Sequence, residues 1–312
     1  MLYGFDIGGT KIELAVFDQD LNQLWTKRID TPQSSYQAFL DAMISLINEA
    51  DQRFKIKGQI GIGIPGIIND QEKTVYTTNI EAVKNQPLMA DLERAVDRPI
   101  FMNNDANCFA LSEAYHKDFL QYNNVLGVIL GTGLGGGIII NHQVINGANG
   151  CGGEIGHLNL SVNMLNILGK DIPLTQCGCG LKGCCERYLS GTGFEWLYHY
   201  YFHKSLKAKT IIEHYYQGDA NAEQHIDRYL ELLAAYLVNV MVIVDPQLIV
   251  LGGGLSNFEL IYQEVPKRIS KYLLPQMTIP RIEKARFGDA GGARGAALLS
   301  LAKDPLDEHT IS

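Results

Sequence analysis

The segment "LYGFDIGGTKIELAVFD" (Leu2–Asp18) decides how the rest of the chain is read. Its apolar residues run into a Gly-Gly turn and then alternate at Ile12, Leu14 and Val16, so it reads as strand, tight turn, strand. The pattern returns in "NVLGVILGTGLGGGIIINHQV" (Asn124–Val144), again a strand, a glycine turn and a strand. Each copy leads on to apolar strands, polar turns and helices, and the second is interrupted by a cysteine-rich stretch. Two α/β halves with matching openings imply an ancient duplication. The division is expected near Asp118 to Asn123. This places residues 1–118 with about 291–312 in one α/β domain and 119–290 in the other.

Other elements follow from periodicity. Phe39, Met43, Ile44, Leu46 and Ile47 predict a helix over roughly Ser35 to Arg53. "GQIGIGIPGII" predicts a buried strand ending in a Pro-Gly turn, and "RPIFMNNDANCFALSEAYH" a strand running into a helix. A long helix is expected from about Ala222 to Val244, then a strand into a third glycine turn in "PQLIVLGGGLSN". "GARGAALLSLA" closes the chain as a helix expected to pack on the first half.

Composition narrows the function classes. The 26 lysines and arginines face 34 acids, a net charge of −8, and no long basic run appears. That argues against a nucleic-acid surface. The apolar stretch Leu230–Val244 is shorter than a membrane span and carries Glu231 and Asn239, so a buried helix is expected and no membrane partner. The opening residues lack a basic and an apolar signal region, and a cytoplasmic protein is expected. There thiols stay reduced, and clustered cysteines favour metal or catalysis over disulfides.

Glycine accounts for 32 of the 312 residues, concentrated at 4–9, 131–137, 252–254 and 288–295. Any one cluster reads equally as a hairpin turn. Three placed directly after strands favour a nucleotide, because glycine lets the backbone approach phosphate and present its N–H groups. Gly131-Thr-Gly133-Leu-Gly-Gly136 formally fits a dinucleotide fingerprint, but a strand-like "GIII" follows where that fold needs a helix. No P-loop sequence occurs. Phosphate gripped by two glycine hairpins, one from each half, remains.

Four of the six cysteines fall in "LTQCGCGLKGCCERY" (Leu174–Tyr188). Cys177, Cys179 and Cys184 have the density of a zinc site. Adjacent residues project to opposite sides, so Cys184 and Cys185 are not expected to face one tetrahedral ion together. A histidine from another segment would complete the site, and His157 in "GGEIGHLNL" is the candidate. Asp105 in "MNNDANCFALSEA" stands at a strand-to-helix junction, where an acid reads first as a helix cap.

Taken together, "DIGGTK", "GTGLGGG" and "GGGLS" resemble the phosphate-1, phosphate-2 and adenosine motifs of the hexokinase–actin–Hsp70 superfamily. "IGIPG", "NDANCFALSEA", "GEIGHL", "CGCGLKGC", "YLSG" and "VDPQLIVLGGGLSN" narrow the resemblance to the ROK sugar kinases, over essentially the whole chain. The resemblance implies a two-domain actin-like (ribonuclease H-like) α/β ATPase fold with an active-site cleft between domains. It implies an ATP-dependent kinase that closes on its sugar and forms a homodimer. Whole-chain similarity favours N-acetyl-D-glucosamine as the acceptor, phosphorylated at the 6-hydroxyl in amino-sugar salvage. Glucose, fructose and N-acetylmannosamine are the alternative substrates. A sugar-sensing ROK repressor is disfavoured, since "DIGGTK" at Asp6 leaves no room ahead of it for a helix-turn-helix domain.

The resemblance also implies the site residues. Asp105 is the catalytic base. Sugar contacts fall to Gly66, Thr78, Asn79, Asn104, Asp105, Glu154, His157 and Glu186. ATP contacts fall to Gly4, Phe5, Asp6, Ile7, Gly8, Gly9, Thr10 and Lys11, then to Thr132, Gly133, Leu134, Gly135, Gly136, Gly137, Ile138, Ile139 and Ile140. Gly252, Gly253 and Gly254 lie against the adenosine. Asp6 orders Mg²⁺ through water. A structural zinc ion takes His157, Cys177, Cys179 and Cys184, leaving Cys185 to pack as a small hydrophobe. A zinc knuckle that only braces its loop is the plainer alternative.

Overall fold

A computed structural model describes residues 1–69, 74–77 and 79–301. In chain order the first strands and helices are β1 (Leu2–Ile7), β2 (Lys11–Phe17), β3 (Gln23–Asp30), α1 (Tyr36–Phe54), β4 (Gln59–Ile64), β5 (Ile67–Asn69), β6 (Thr74–Tyr76), α2 (Leu88–Val96), β7 (Ile100–Asn104) and α3 (Asp105–Ala114). There follow β8 (Asn124–Leu130), β9 (Leu134–Ile140), β10 (Gln143–Val144), α4 (Val162–Leu168), α5 (Glu186–Leu189), α6 (Gly191–Phe202), α7 (Ala208–Tyr216) and α8 (Ala220–Val244). The last are β11 (Leu248–Gly252), α9 (Leu260–Ile269), β12 (Arg281–Lys284) and α10 (Gly291–Leu299). Two compact units result. Among the described residues, one comprises Met1–Lys117, His142–Gly152 and Asp289–Leu301; the other comprises Asp118–Asn141 and Gly153–Gly288. The grouping of 142–152 with the first unit has no signal in the sequence.

The first unit is built on a sheet of order β3-β2-β1-β4-β7. The β1–β2 hairpin is antiparallel, with Ile7 opposite Ile12, and β1, β4 and β7 run parallel. Strand alternation divides β1 between two faces. Tyr3, Phe5 and Ile7 join Ile12, Leu14 and Val16 in a core with Phe39, Met43, Leu46 and Ile47 of α1. Ser35 caps α1 by accepting the Ala38 N–H. Leu2, Ala15 and Phe17 pack on the opposite face with Ala293 and Ala297 of α10.

That second face is lined by strand glycines because a helix lies almost on the backbone. A Cβ on Gly4 would stand 1.8 Å from the Ala293 carbonyl oxygen, and one on Gly61 would stand 1.7 Å from that of Ala296. Gly295 makes the matching approach of α10 to α3, at 1.8 Å from the Cys108 carbonyl oxygen. The glycines of "GFDIGG" and "GIGIPG" therefore serve two purposes: some seat helices and others make turns.

The second unit repeats the scheme. Its β8–β9 hairpin is antiparallel with Leu130 opposite Leu134, and β8, β11 and β12 run parallel in the order β9-β8-β11-β12. Strand β9 follows directly after Gly133, which rules out the helix a dinucleotide fingerprint requires. Leu126, Val128, Leu130, Ile249 and Leu251 form a core with Tyr229, Leu233 and Leu237 of α8. Helix α8 is buried along every residue from Leu232 to Val238, as expected of a helix apolar on all sides. Asp219 caps its start, and Asp245 ends it in the left-handed conformation (φ 45°). No helix among the described residues is long and apolar enough to cross a membrane.

Candidate active site and metal centre

In the first unit, β7 delivers Asn104 and Asp105 to the start of α3. Asn104, not Asp105, is the N-cap: its Oδ1 accepts the Ala106 N–H at 2.8 Å, while its Nδ2 donates to the Gly66 carbonyl at 2.9 Å. Asp105 Oδ1 accepts the same Ala106 N–H at 2.8 Å. Burial pushes the Asp105 carboxyl above its ordinary value, partly offset by that hydrogen bond. Such a shift suits a base that must take a proton near neutral pH. Below it, the Cys108 thiol is held well above its usual range by burial and then by the charges of Asp105 and Asp6.

Gly66 occupies φ 140°, and a Cβ there would stand 2.3 Å from the Tyr76 carbonyl oxygen. The sequence therefore needs glycine where β4 turns into β5. Asn79 donates its N–H to Thr77 Oγ1 at 3.1 Å, and Thr77 is buried. Thr78 lies outside the described residues.

The first glycine hairpin turns its carbonyls inward. Thr31 Oγ1 donates to the Gly8 carbonyl at 2.7 Å, the Thr31 N–H to the Thr10 carbonyl at 2.9 Å, and Gln33 Nε2 to the Gly9 carbonyl at 2.6 Å. Gly4, Phe5 and Ile7 lie inside β1, where sheet pairing takes up their backbone. The Gly8 N–H is engaged as well, donating to the Lys11 carbonyl at 2.8 Å. Asp6 is on the α10 face of β1, where a Cβ on Gly292 would come within 2.5 Å of its carboxylate.

The second hairpin, in the second unit, follows the same logic. The Gly131 carbonyl accepts the Gly191 N–H at 2.7 Å, that of Thr132 accepts Thr192 Oγ1 at 2.9 Å, and that of Gly133 accepts the Gly131 N–H at 3.0 Å. These carbonyl oxygens are thus each held by a donor of the same unit. Leu134 through Ile140 belong to β9 and pair with β8. Gly253, at φ 80°, lies against the end of β8, where a Cβ would meet the Leu130 carbonyl carbon at 2.5 Å.

The cysteine loop is brought to His157 by short backbone pairings. The Leu160 N–H donates to the Gly183 carbonyl at 3.1 Å and the Cys185 N–H to the Leu158 carbonyl at 2.8 Å. Gly180 and Gly183, both at positive φ, turn the loop back on itself. A ring nitrogen of His157 and the sulfurs of Cys177, Cys179 and Cys184 all fall within 4.8 Å of one another. Cys177 Sγ lies 3.6 Å from His157 Nδ1, and Cys179 Sγ lies 3.6 Å from Cys184 Sγ. A tetrahedral zinc with Zn–S bonds of about 2.3 Å has ligand–ligand edges of about 3.8 Å, so this donor set fits one metal ion. Burial pushes the Cys184 thiol up to about 12, a cost that a cation among the thiols would reverse.

Cys185 points the other way. It is fully buried, with its sulfur 4.0 Å from Met164 Sδ. His157 keeps Nε2 on its far side, 3.6 Å from Glu154 Oε2. Glu186 reaches back from α5: its Oε1 lies 3.5 Å from Cys177 Sγ and its Oε2 accepts the Leu134 N–H at 3.2 Å. One group of side chains thus links the cysteine loop to the second glycine hairpin, a connection that no sequence spacing signals.

A profile of the ROK family matches residues 2–303. The chain is 54% identical over 301 residues to the N-acetyl-D-glucosamine kinase of Escherichia coli O139:H28 (strain E24377A / ETEC), covering 96% of this chain and 99% of that protein. The N-acetyl-D-glucosamine kinase of Salmonella dublin stands at the same identity and coverage. Among solved structures, the ROK hexokinase from Thermus thermophilus superposes with a TM-score of 0.84 at 30% identity, covering 96% of this chain and 97% of that one. A ROK family glucokinase from Streptomyces griseus, solved in complex with glucose and AMPPNP, gives 0.74 at 28% identity, with 96% and 98% coverage. On the profile match and these relatives, the chain belongs to the ROK family and has the actin-like ATPase fold of its sugar kinases.

Proposed function

We propose that this chain is an ATP-dependent kinase that phosphorylates N-acetyl-D-glucosamine at its 6-hydroxyl, giving the 6-phosphate and ADP, in amino-sugar salvage. The observation that carries the substrate is the 54% identity across 96% of the chain to N-acetyl-D-glucosamine kinases. Homodimer formation and a cytoplasmic setting belong to the same reading.

Asp105 accepts the proton of the 6-hydroxyl as that oxygen attacks the γ-phosphorus. Its raised proton affinity and its fixed place at the start of α3 support this role. Asn104 has one acceptor lone pair and one N–H in internal bonds, and its remaining N–H serves a neighbouring sugar hydroxyl. Gly66, Thr78, Asn79, Glu154, His157 and Glu186 complete the polar set. Hydroxyl-reading groups of this kind discriminate because the wrong sugar leaves them unpaired.

The turns at Gly9–Thr10 and Thr132–Gly133 present backbone to the phosphates, and Gly252–Gly254 lies against the adenosine. Asp6 would hold Mg²⁺ through water, and the ion's charge would offset that of the phosphates. His157, Cys177, Cys179 and Cys184 would hold zinc in a closed, structural site. His157 then keeps Nε2 for Glu154 and the sugar, so the metal fixes the direction of both.

A coupled ADP-release assay over N-acetylglucosamine, glucose, fructose and N-acetylmannosamine tests the substrate. The expected result is the highest kcat/KM on N-acetylglucosamine. A kcat/KM on glucose equal to or above it would overturn the assignment.

A further inference from the structure

We propose that Asn103, the residue before the Asn104–Asp105 pair, is a positioning residue for the catalytic carboxylate. The inference rests on the reading of Asp105 as the base. Asn103 is on β7 with its side chain turned inward, at 7% exposure. A carboxamide in that position is costly unless its donor and acceptor are both used. Both are. Oδ1 accepts the Asn104 N–H at 2.8 Å and Asn107 Nδ2 at 2.8 Å, and Nδ2 donates to Asn146 Oδ1 at 2.8 Å.

Three consequences follow from this arrangement. First, the amide has one orientation, because rotating it would set its NH₂ against two donors. Second, it pins the peptide that leads into Asp105. The Ala106 N–H is shared by Asn104 Oδ1 and Asp105 Oδ1, so the direction of the Asp105 carboxylate depends on how Asn104 enters α3. Third, Asn103 ties the 142–152 segment to β7 through Asn146, and it fastens Asn107, itself 2% exposed, one turn into α3. A leucine at 103 keeps the branched outline of the side chain, is bulkier, and makes none of these bonds. It would free the Asn104 peptide and loosen the carboxylate's bond to Ala106; that bond holds the proton affinity of Asp105 down, so loosening it raises the affinity.

The test uses the full chain with Asn103→Leu and Asn146→Ala, read by kcat, both KM values and the pH profile of kcat/KM for N-acetylglucosamine. Asn103→Leu is expected to lower kcat about 10- to 100-fold, the scale of a base misplaced by an ångström or less. Each KM should stay within about threefold. The acidic limb of the profile should move to higher pH, a shift that general loosening of the fold would not produce. Asn146→Ala should show the same pair of changes in smaller measure, and it decides the matter if Asn103→Leu does not fold. A kcat within twofold of the parent, or a fall in kcat with an unmoved limb, overturns the proposal. Asp105→Asn separates the two readings: if it is inactive while Asn103→Leu is normal, only the role of Asn103 fails.

Discussion

Glu186 Oε2 accepts the Leu134 N–H at 3.2 Å, so the residue that follows the cysteine loop also holds the turn of the second glycine hairpin. The same carboxylate lies 3.5 Å from Cys177 Sγ. A group placed this way should affect the nucleotide as well as the sugar proposed for it. Glu186→Ala should raise KM for ATP as well as for N-acetylglucosamine, each about tenfold, the value of one hydrogen bond to a charged group. Steady-state kinetics with each substrate varied in turn provides the check. A change confined to the sugar would show that the contact with Leu134 has no functional weight.

The adjacent cysteines should behave as opposites. Cys184→Ala removes one of the four proposed zinc ligands, and bound zinc measured by a colorimetric chelator should be lost with much of the stability. Cys185→Ala removes only a buried sulfur beside Met164 and should keep full zinc, with a stability cost of about 1 kcal/mol. Chelation of the parent protein should raise the sugar KM, because His157 loses its direction along with its ligand bond. A fall in Tm after chelation with no change in sugar KM would leave the metal a brace and nothing more.

The sequence is legible where one residue type answers one physical need. The two glycine hairpins, the strand running into α3 and the apolar stretch of α8 follow from period and turn chemistry, and the structure bounds them within a residue or two of the reading: α1 starts at Tyr36 after the Ser35 cap, and α8 starts at Ala220 after Asp219. The cysteine loop is legible as metal chemistry because three thiols lie so close together. What was hidden depends on partners distant in sequence. Gly4 reads as part of a phosphate grip and Gly61 as an ordinary strand residue, and both seat α10, which only the returning chain reveals. The reach of Glu186 to Leu134 and the buried roles of Thr77 and Asn103 likewise arise from pairings across the fold, which local pattern cannot encode.

His225 should make the fold acid-sensitive. It is buried among Phe194, Tyr198 and Phe202, and burial pulls its pKa down to about 3. The folded protein keeps the ring neutral while the unfolded chain takes a proton near 6.5. The unfolded state therefore binds more protons between these values, and stability falls as pH drops through that window. At pH 5 the loss from this one group is roughly 2 kcal/mol relative to pH 7.5. Denaturant titrations of the parent and His225→Phe at both pH values should show a smaller acid loss in the variant. Equal losses would exclude the buried ring as the cause.

Gly292 should matter to the nucleotide. A methyl group there would stand 2.5 Å from Asp6 Oδ2, so Gly292→Ala must displace the carboxylate or α10. The expected outcome is a fall of about tenfold in kcat/KM for MgATP, and a higher Mg²⁺ requirement, with sugar affinity by calorimetry unchanged. Unaltered MgATP kinetics would show that the position of Asp6 is not critical.

Asp105→Asn puts the central claim to its most direct test. The amide keeps the shape and the acceptor for the Ala106 N–H but cannot take up the sugar's proton. With N-acetylglucosamine and MgATP, kcat should fall by about 10²- to 10⁴-fold while the sugar still binds by calorimetry, the signature of a lost general base. Turnover near that of the parent enzyme would contradict the assignment of Asp105 as the base.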